Sequence, residues 1–261
     1  MAQRGTRERV ARLGRAVAPP EAGVGGAVLL LPSGTEQSAR GPSPLAEAAL
    51  RPLARRLARA GRAEGLAVHL VRYRTRGWNG AQAGPAEDAE WAADEVVRRY
   101  GDVPVCLAGT GTGGRAALRA AGHEAVDSVL ALAPRLPDEG TAAPPEPVRQ
   151  LAGRQVLIVH GTNDTRSDPE SSFRLAERAK KANRGVCRFE VHADGHGLRQ
   201  YRAEVALLAV DFVLGTLFGH PMPRPLQDAM AAPPPLGLRM PLAAGYGSTR
   251  GTAGRWAGGA G

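Results

Sequence analysis

Five short stretches hold the residues best suited to chemistry: Pro32-Ser33-Gly34-Thr35, Arg76-Gly77-Trp78-Asn79-Gly80, Gly109-Thr110-Gly111-Thr112-Gly113-Gly114, His160-Gly161-Thr162-Asn163-Asp164 and Asp194-Gly195-His196-Gly197. A histidine oriented by a carboxylate is a general base for a hydroxyl or a water. A glycine-dense turn that opens a helix offers backbone amides to an anion. The third chemistry such an arrangement needs, a nucleophile, is missing where it is most expected, because the apex of the glycine turn is Gly111.

The elements that must position these stretches follow from alternating patterns. Apolar, β-rich runs at 27–34, 66–74, 103–109, 126–134, 155–161 and 187–195 predict strands. Between and after them lie amphipathic helical segments: "PLAEAALRPLARRLARAG", "EDAEWAADEVVRRYG", "RAALRAAG", "DPESSFRLAERAKKAN" and "LRQYRAEVALLAVDFVLGTLFG". Strand and helix in alternation imply a mostly parallel sheet covered on both faces. In such sheets the ligand site lies outside the carboxyl ends of the strands. Each of the five stretches falls at the end of a predicted strand or just after it.

Length and composition bound the rest. A chain of 261 residues suits one α/β domain of about 200 to 250 residues with flanking arms. The expected division is a basic flexible arm over 1–24, an α/β domain over 25–219 and a Pro/Gly/Ala-rich flexible tail over 220–261. The formal charge of +9 is shared among them, since residues 1–22 hold five Arg against Glu8 and Glu21, and residues 219–261 hold four Arg against Asp228. Each flank contributes +3, which leaves +3 for the core. With no basic stripe interleaved with aromatics, no nucleic-acid partner is expected. Cys106 and Cys187 sit in strand-like runs rather than at metal or redox spacings, so they read as small buried residues in a reducing, cytoplasmic protein. No leader-like apolar region and no apolar run of about 18 residues appear, so neither export nor membrane insertion is expected. No cofactor and no metal are expected.

With these motifs in place, the chain resembles the α/β-hydrolase family over about residues 25–218, in the minimal form of dienelactone hydrolases and small serine esterases. That family carries a G-x-S-x-G elbow, then an acid, then a histidine in chain order. The resemblance puts the elbow at Gly109–Gly113 with Gly111 in the nucleophile position, the acid at Asp164 and the histidine at His196, with His192 as its neighbour and competitor. It puts Ser33 and Gly34 in the first strand-to-helix loop, which supplies one oxyanion donor, the other being the Thr112 amide; a plain Pro-Ser-Gly turn explains them equally well. Trp78 lines the pocket mouth or packs on the loop beneath it. The short, Pro- and Glu-rich connection from Pro134 to Arg154 leaves no room for a large cap domain.

"GTGTGG" also fits the dinucleotide fingerprint through Gly109, Gly111 and Gly114. That reading requires an acidic residue at the end of the next strand, and "VLALAP" has none. The expected function is therefore a small-molecule-binding pseudoenzyme or a very weak hydrolase. An ester or thioester hydrolase working through a His196-activated water is the alternative. Thr110 and Thr112 flank the apex and are expected to point away from the pocket.

Overall fold

The structure is a computed structural model that describes residues 9–18, 23–137 and 144–247. Eight strands form one sheet: β1 (Arg12–Leu13), β2 (Gly26–Leu31), β3 (Leu66–Arg72), β4 (Val105–Thr110), β5 (Val126–Leu132), β6 (Gln155–Gly161), β7 (Val186–Val191) and β8 (Met240–Pro241). Their spatial order is β1-β3-β2-β4-β5-β6-β7-β8. Only β1 runs antiparallel, against β3; the pairings from β3 to β8 are parallel. Among the described residues six α-helices accompany them: α1 (Pro44–Ala60), α2 (Gly84–Tyr100), α3 (Thr112–Arg119), α4 (Pro169–Ala182), α5 (Arg202–Phe218) and α6 (Arg224–Ala231).

Residues of one strand feed two cores. In β2, Leu29 and Leu31 join Ala89, Ala93 and Val96 of α2 and Leu175 of α4, while Val28 and Leu30 join Leu50 and Leu57 of α1 and Leu208 and Phe212 of α5. Burial on both faces explains why the central strands read as unbroken apolar runs. Each fully buried Leu stabilises the fold by about 1.5–3 kcal/mol relative to exposure. Local signals set the helix starts: Ser43 accepts from the Ala46 amide ahead of α1, and Asp168 accepts from the Glu170 amide ahead of α4, each followed by a proline in the first turn.

Two expectations need correction. The N-terminal arm is not wholly free: Leu13 is buried, the Gly14 and Val17 amides donate to Leu70 and Val68, and the Gly14 carbonyl meets His69 Nδ1 at 2.8 Å. Nor is the stretch after residue 220 a free tail, because α6 and β8 both pack on the domain. Leu226, Ala229 and Leu238 are fully buried there, and Lys180 and Arg188 donate to the carbonyls of Met230 and Leu238. The expected flexibility of 1–8 and 248–261 concerns residues outside those described. Among the described residues, no helix is long and apolar enough to cross a membrane.

Helix α3, which starts at the glycine turn, is clasped from one side. Glu146 in the β5–β6 connection is 2 % exposed and accepts from Arg115 Nε at 2.6 Å and from Arg119 Nε. The Arg115 guanidinium also stacks 4.0 Å from the centre of the Trp78 ring. Replacing the carboxylate strands a buried guanidinium, at a cost of about 3 kcal/mol. Glu146→Gln should therefore unfold at clearly lower urea concentration than the wild type, with an unchanged m-value; an unmoved midpoint would mean that the clasp does not hold α3.

Candidate active site

The sheet order changes direction between β2 and β4: β2 leads on to β3 on one side, and β4 leads on to β5 on the other. That divergence opens a crevice at the carboxyl ends of the two strands. The glycine turn lies there, and glycines 109 and 113 allow it to be tight. A Cβ on Gly109 would meet the Gly113 carbonyl, and one on Gly113 would meet the carbonyl of Leu31 in β2. Gly111 has φ +53° and ψ −119°, a conformation that a residue with a Cβ holds only under strain. Its amide donates to Leu132 O at 3.0 Å and its carbonyl accepts from Arg115 and Arg135, so the apex is fixed from both sides.

The structure brings the predicted acid and base together. His196 Nδ1 lies 2.8 Å from Asp164 Oδ2. An ideal Cβ at Gly111 would lie 3.3 Å from His196 Nε2, so the free ring nitrogen faces the apex. Asp164 is the end of an unusual convergence of donors. Its Oδ1 accepts from the amides of Arg166 at 2.8 Å and Ser167 at 3.2 Å, and its Oδ2 meets Ser167 Oγ at 2.7 Å and His160 Nε2 at 3.2 Å as well as His196. Burial by itself would raise the Asp164 pKa, but the hydrogen bonds from His160, Ser167, the Arg166 amide and His196 outweigh it and hold the carboxyl well below the usual range. The acid is an anion, which favours a protonated Nδ1 on His196 and leaves Nε2 as the acceptor.

The loop carrying His196 is held against the Asp164 loop by its own clamp. Asp194, 4 % exposed, accepts from the amides of Gly195, Arg199, Gln200 and Tyr201, and the Asn163 amide donates to its carbonyl. Ala193 and Leu198, on either side of the histidine, have φ +58° and +45°. Such backbone values persist only where the surroundings over-determine them. His192 is exposed and has no recorded partner among the described residues, so the competition between the two histidines is resolved by geometry.

Other predicted positions fall differently. Thr112 is the first residue of α3, and its Oγ1 is buried without a hydrogen-bond partner among the described residues. Gly34 backs onto the loop after β3, where a Cβ would meet the Arg76 carbonyl. Trp78 needs correction as a pocket-mouth residue: it is 3 % exposed, packed in the core beneath Arg115. Ser33 is part-exposed beside the apex, and the space of a Gly111 side chain overlaps its Oγ. His160, Ser167 and Ser172 were not anticipated. His160 is fully buried between Asp164 and Ser172, whose Oγ lies 2.9 Å from His160 Nδ1 and accepts from buried Arg188 at 2.9 Å. The one available signal was a polar residue at the inward end of an apolar strand, four positions before the acid. Cys106 and Cys187 are buried as expected, and burial pushes both thiols up to about 12. Among the described residues no group of three or more His, Cys, Asp or Glu is placed to hold a metal.

Neither a family model nor a curated protein matches the chain. Solved structures do match. An esterase from Pyrococcus furiosus aligns with a TM-score of 0.59 at 17 % identity, covering 75 % of this chain and 82 % of that one. Esterase 2 from Thermogutta terrifontis, in a form phosphorylated by paraoxon, gives 0.58 at 19 %, covering 80 % and 90 %. A lidless α/β serine hydrolase from Xanthomonas campestris gives 0.54 at 18 %, covering 81 % and 90 %. The likeness establishes the α/β-hydrolase fold.

The depressed Asp164 pKa carries a sign. The ionised carboxylate stabilises the fold at any pH above its unfolded value of 3.8, and this contribution fades as pH falls below that value towards the folded pKa. Asp164→Asn should therefore be less stable than wild type at pH 7, and the gap between their urea midpoints should shrink between about pH 4 and pH 2. A gap independent of pH would show that the charge of Asp164 does not contribute.

Proposed function

From the α/β-hydrolase fold of this chain, we propose that it binds small ester- or thioester-like compounds at the crevice between β2 and β4 and hydrolyses them slowly, with His196 as general base and no nucleophile from the elbow. The observation that carries this reading is the intact pair: an Asp164 anion that orients His196 and leaves Nε2 facing the apex. Removing an elbow serine costs about a millionfold in turnover, while donors and binding retain about 10³ to 10⁴ over water. His196 supplies base catalysis within that remainder, and the Thr112 amide, at the start of α3, is the donor for the developing oxyanion. The β5–β6 connection carries no α-helix among the described residues, which supports a small or medium substrate.

A binding protein without turnover is the second reading, favoured by the glycine at the apex. Dinucleotide binding is less supported, since β5 ends at Leu132 with Ala133 and Pro134 after it and supplies no carboxylate for a ribose.

Two variants test the proposal. His196→Ala should remove turnover of short-chain aryl esters, lowering kcat/KM by about 10²-fold or more; retention of activity would leave only the binding reading. Gly111→Ser should raise kcat by about 10² to 10⁴ in a His196-dependent manner. Because the new Cβ meets Ser33 Oγ at a strained φ, it should also lower stability by about 1 kcal/mol or more. A folded Gly111→Ser variant without gain on a broad ester panel would mean that the remaining site no longer fits an acyl transition state.

A further inference from the structure

The apex glycine has a neighbour whose position follows from strand register. Leu31 of β2 pairs with Gly109 of β4, and Ser33 and Gly111 each stand two residues beyond that pair. The two chains therefore leave the sheet side by side at the crevice. An ideal Cβ on Gly111 overlaps Ser33 Oγ and lies 3.3 Å from both Ser33 Cβ and His196 Nε2. The Ser33 hydroxyl thus occupies the room that an elbow side chain would fill, and that room lies within reach of the base. Neither Ser33 Oγ nor His196 Nε2 has a recorded hydrogen-bond partner among the described residues.

We propose that Ser33 is the nucleophile of this site, a hydroxyl carried at the end of β2 in place of one at the elbow of β4. The assignment rests on the general-base reading of His196 given above. It also supplies a reason for glycine at position 111, since a side chain there would take the space of the Ser33 hydroxyl; only a Gly111→Ser side chain would bring a replacement hydroxyl, held at the elbow, in its stead. The segment is held for the purpose. The Pro32 carbonyl accepts from the buried Tyr73 hydroxyl at 3.1 Å, the Thr35 amide donates to Arg76 O at 2.9 Å, and the Trp78 amide donates to Thr35 O at 2.8 Å. Ser33 itself remains part-exposed, open to a substrate.

In the step that follows, Ser33 Oγ turns into hydrogen-bond contact with His196 Nε2, which makes the ring a general base. Ser33 Oγ bonds to the acyl carbon of an ester or thioester while its proton passes to His196 Nε2. The carbonyl electron pair moves onto oxygen, facing the Thr112 amide. As the carbonyl reforms, the bond to the alkoxide or thiolate breaks, and that group leaves with the proton from Nε2. Water then attacks the Ser33 ester, His196 takes its proton, and the acid product departs as the proton returns to Oγ.

The test uses the full chain with a fluorophosphonate probe, mass mapping of the adduct and parallel turnover of short-chain aryl acetates. The expected result is one adduct on Ser33, absent in Ser33→Ala and formed at least about 10-fold more slowly in His196→Ala, with Ser33→Ala lowering kcat by about 10²-fold or more at unchanged Tm. Ser33→Cys guards against a merely structural loss. Because Cys106 and Cys187 are buried, its thiol alone should react rapidly with iodoacetamide, and at least about 10-fold more slowly once His196 is also Ala. If Ser33→Ala keeps His196-dependent turnover and no adduct forms on Ser33, the assignment is overturned and a water takes the role. Absence of both adduct and His196-dependent turnover in the wild type overturns the assignment together with the reading beneath it.

Discussion

One buried carboxylate organises this end of the molecule. Asp164 lies where β6 runs out, its side chain removed from solvent, and an anion there is tolerable only because five donors converge on it. Two of those donors are backbone amides, so the acid shapes its own loop. The other three come from Ser167, from His160 on the strand and from His196 on the loop after β7, so the same charge ties that strand and two loops to one point. Behind it, His160 passes the connection to Ser172 and to buried Arg188, which in turn holds the Leu238 carbonyl of the C-terminal stretch. The orientation of His196 and the packing of the β6–β8 edge are thus tied to one charge.

The second constraint is steric. β2, β4 and the start of α3 approach so closely that Gly109 and Gly113 face backbone carbonyls where a Cβ would stand. Such an elbow holds its apex in a sparsely allowed conformation, and a glycine there relieves strain that any other residue would impose. Stability and chemistry therefore pull apart at position 111: glycine relieves the strain of the turn and offers no side chain for chemistry. The neighbouring register makes this loss local, because it delivers the hydroxyl of Ser33 into the same space without asking the elbow to be strained.

Much of this architecture was legible in the sequence, and the failures share a cause. β6 was read with its observed limits, Gln155–Gly161, because a fully buried parallel strand is a dense apolar run that ends at a glycine. Asp164 and His196, which lie 2.8 Å apart, were singled out because each follows a strand in the order that the resemblance implies. β1, α6 and β8 were missed because they are short and Pro- or Gly-flanked, and they owe their order to tertiary contacts rather than to periodicity. Trp78 was read as either lining the pocket mouth or packing on the loop beneath it, and residue type could not choose; its burial beneath Arg115, which also pairs with Glu146 of a distant connection, does. Ser33 was read as either a residue of the first strand-to-helix loop of the site or part of a plain turn, and its proximity to the apex is a matter of inter-strand register, which one strand read alone does not reveal.

The claim at the centre of this account is that Asp164 fixes the tautomer and orientation of His196, leaving Nε2 bare towards the apex. Long-range ¹H–¹⁵N correlation spectroscopy of the imidazole nitrogens reads this directly in the neutral ring. The account predicts a protonated Nδ1 with a strongly downfield proton, an unprotonated Nε2, and loss of that signature in Asp164→Asn. A His196 ring protonated on Nε2, or one averaging between tautomers irrespective of Asp164, would contradict it.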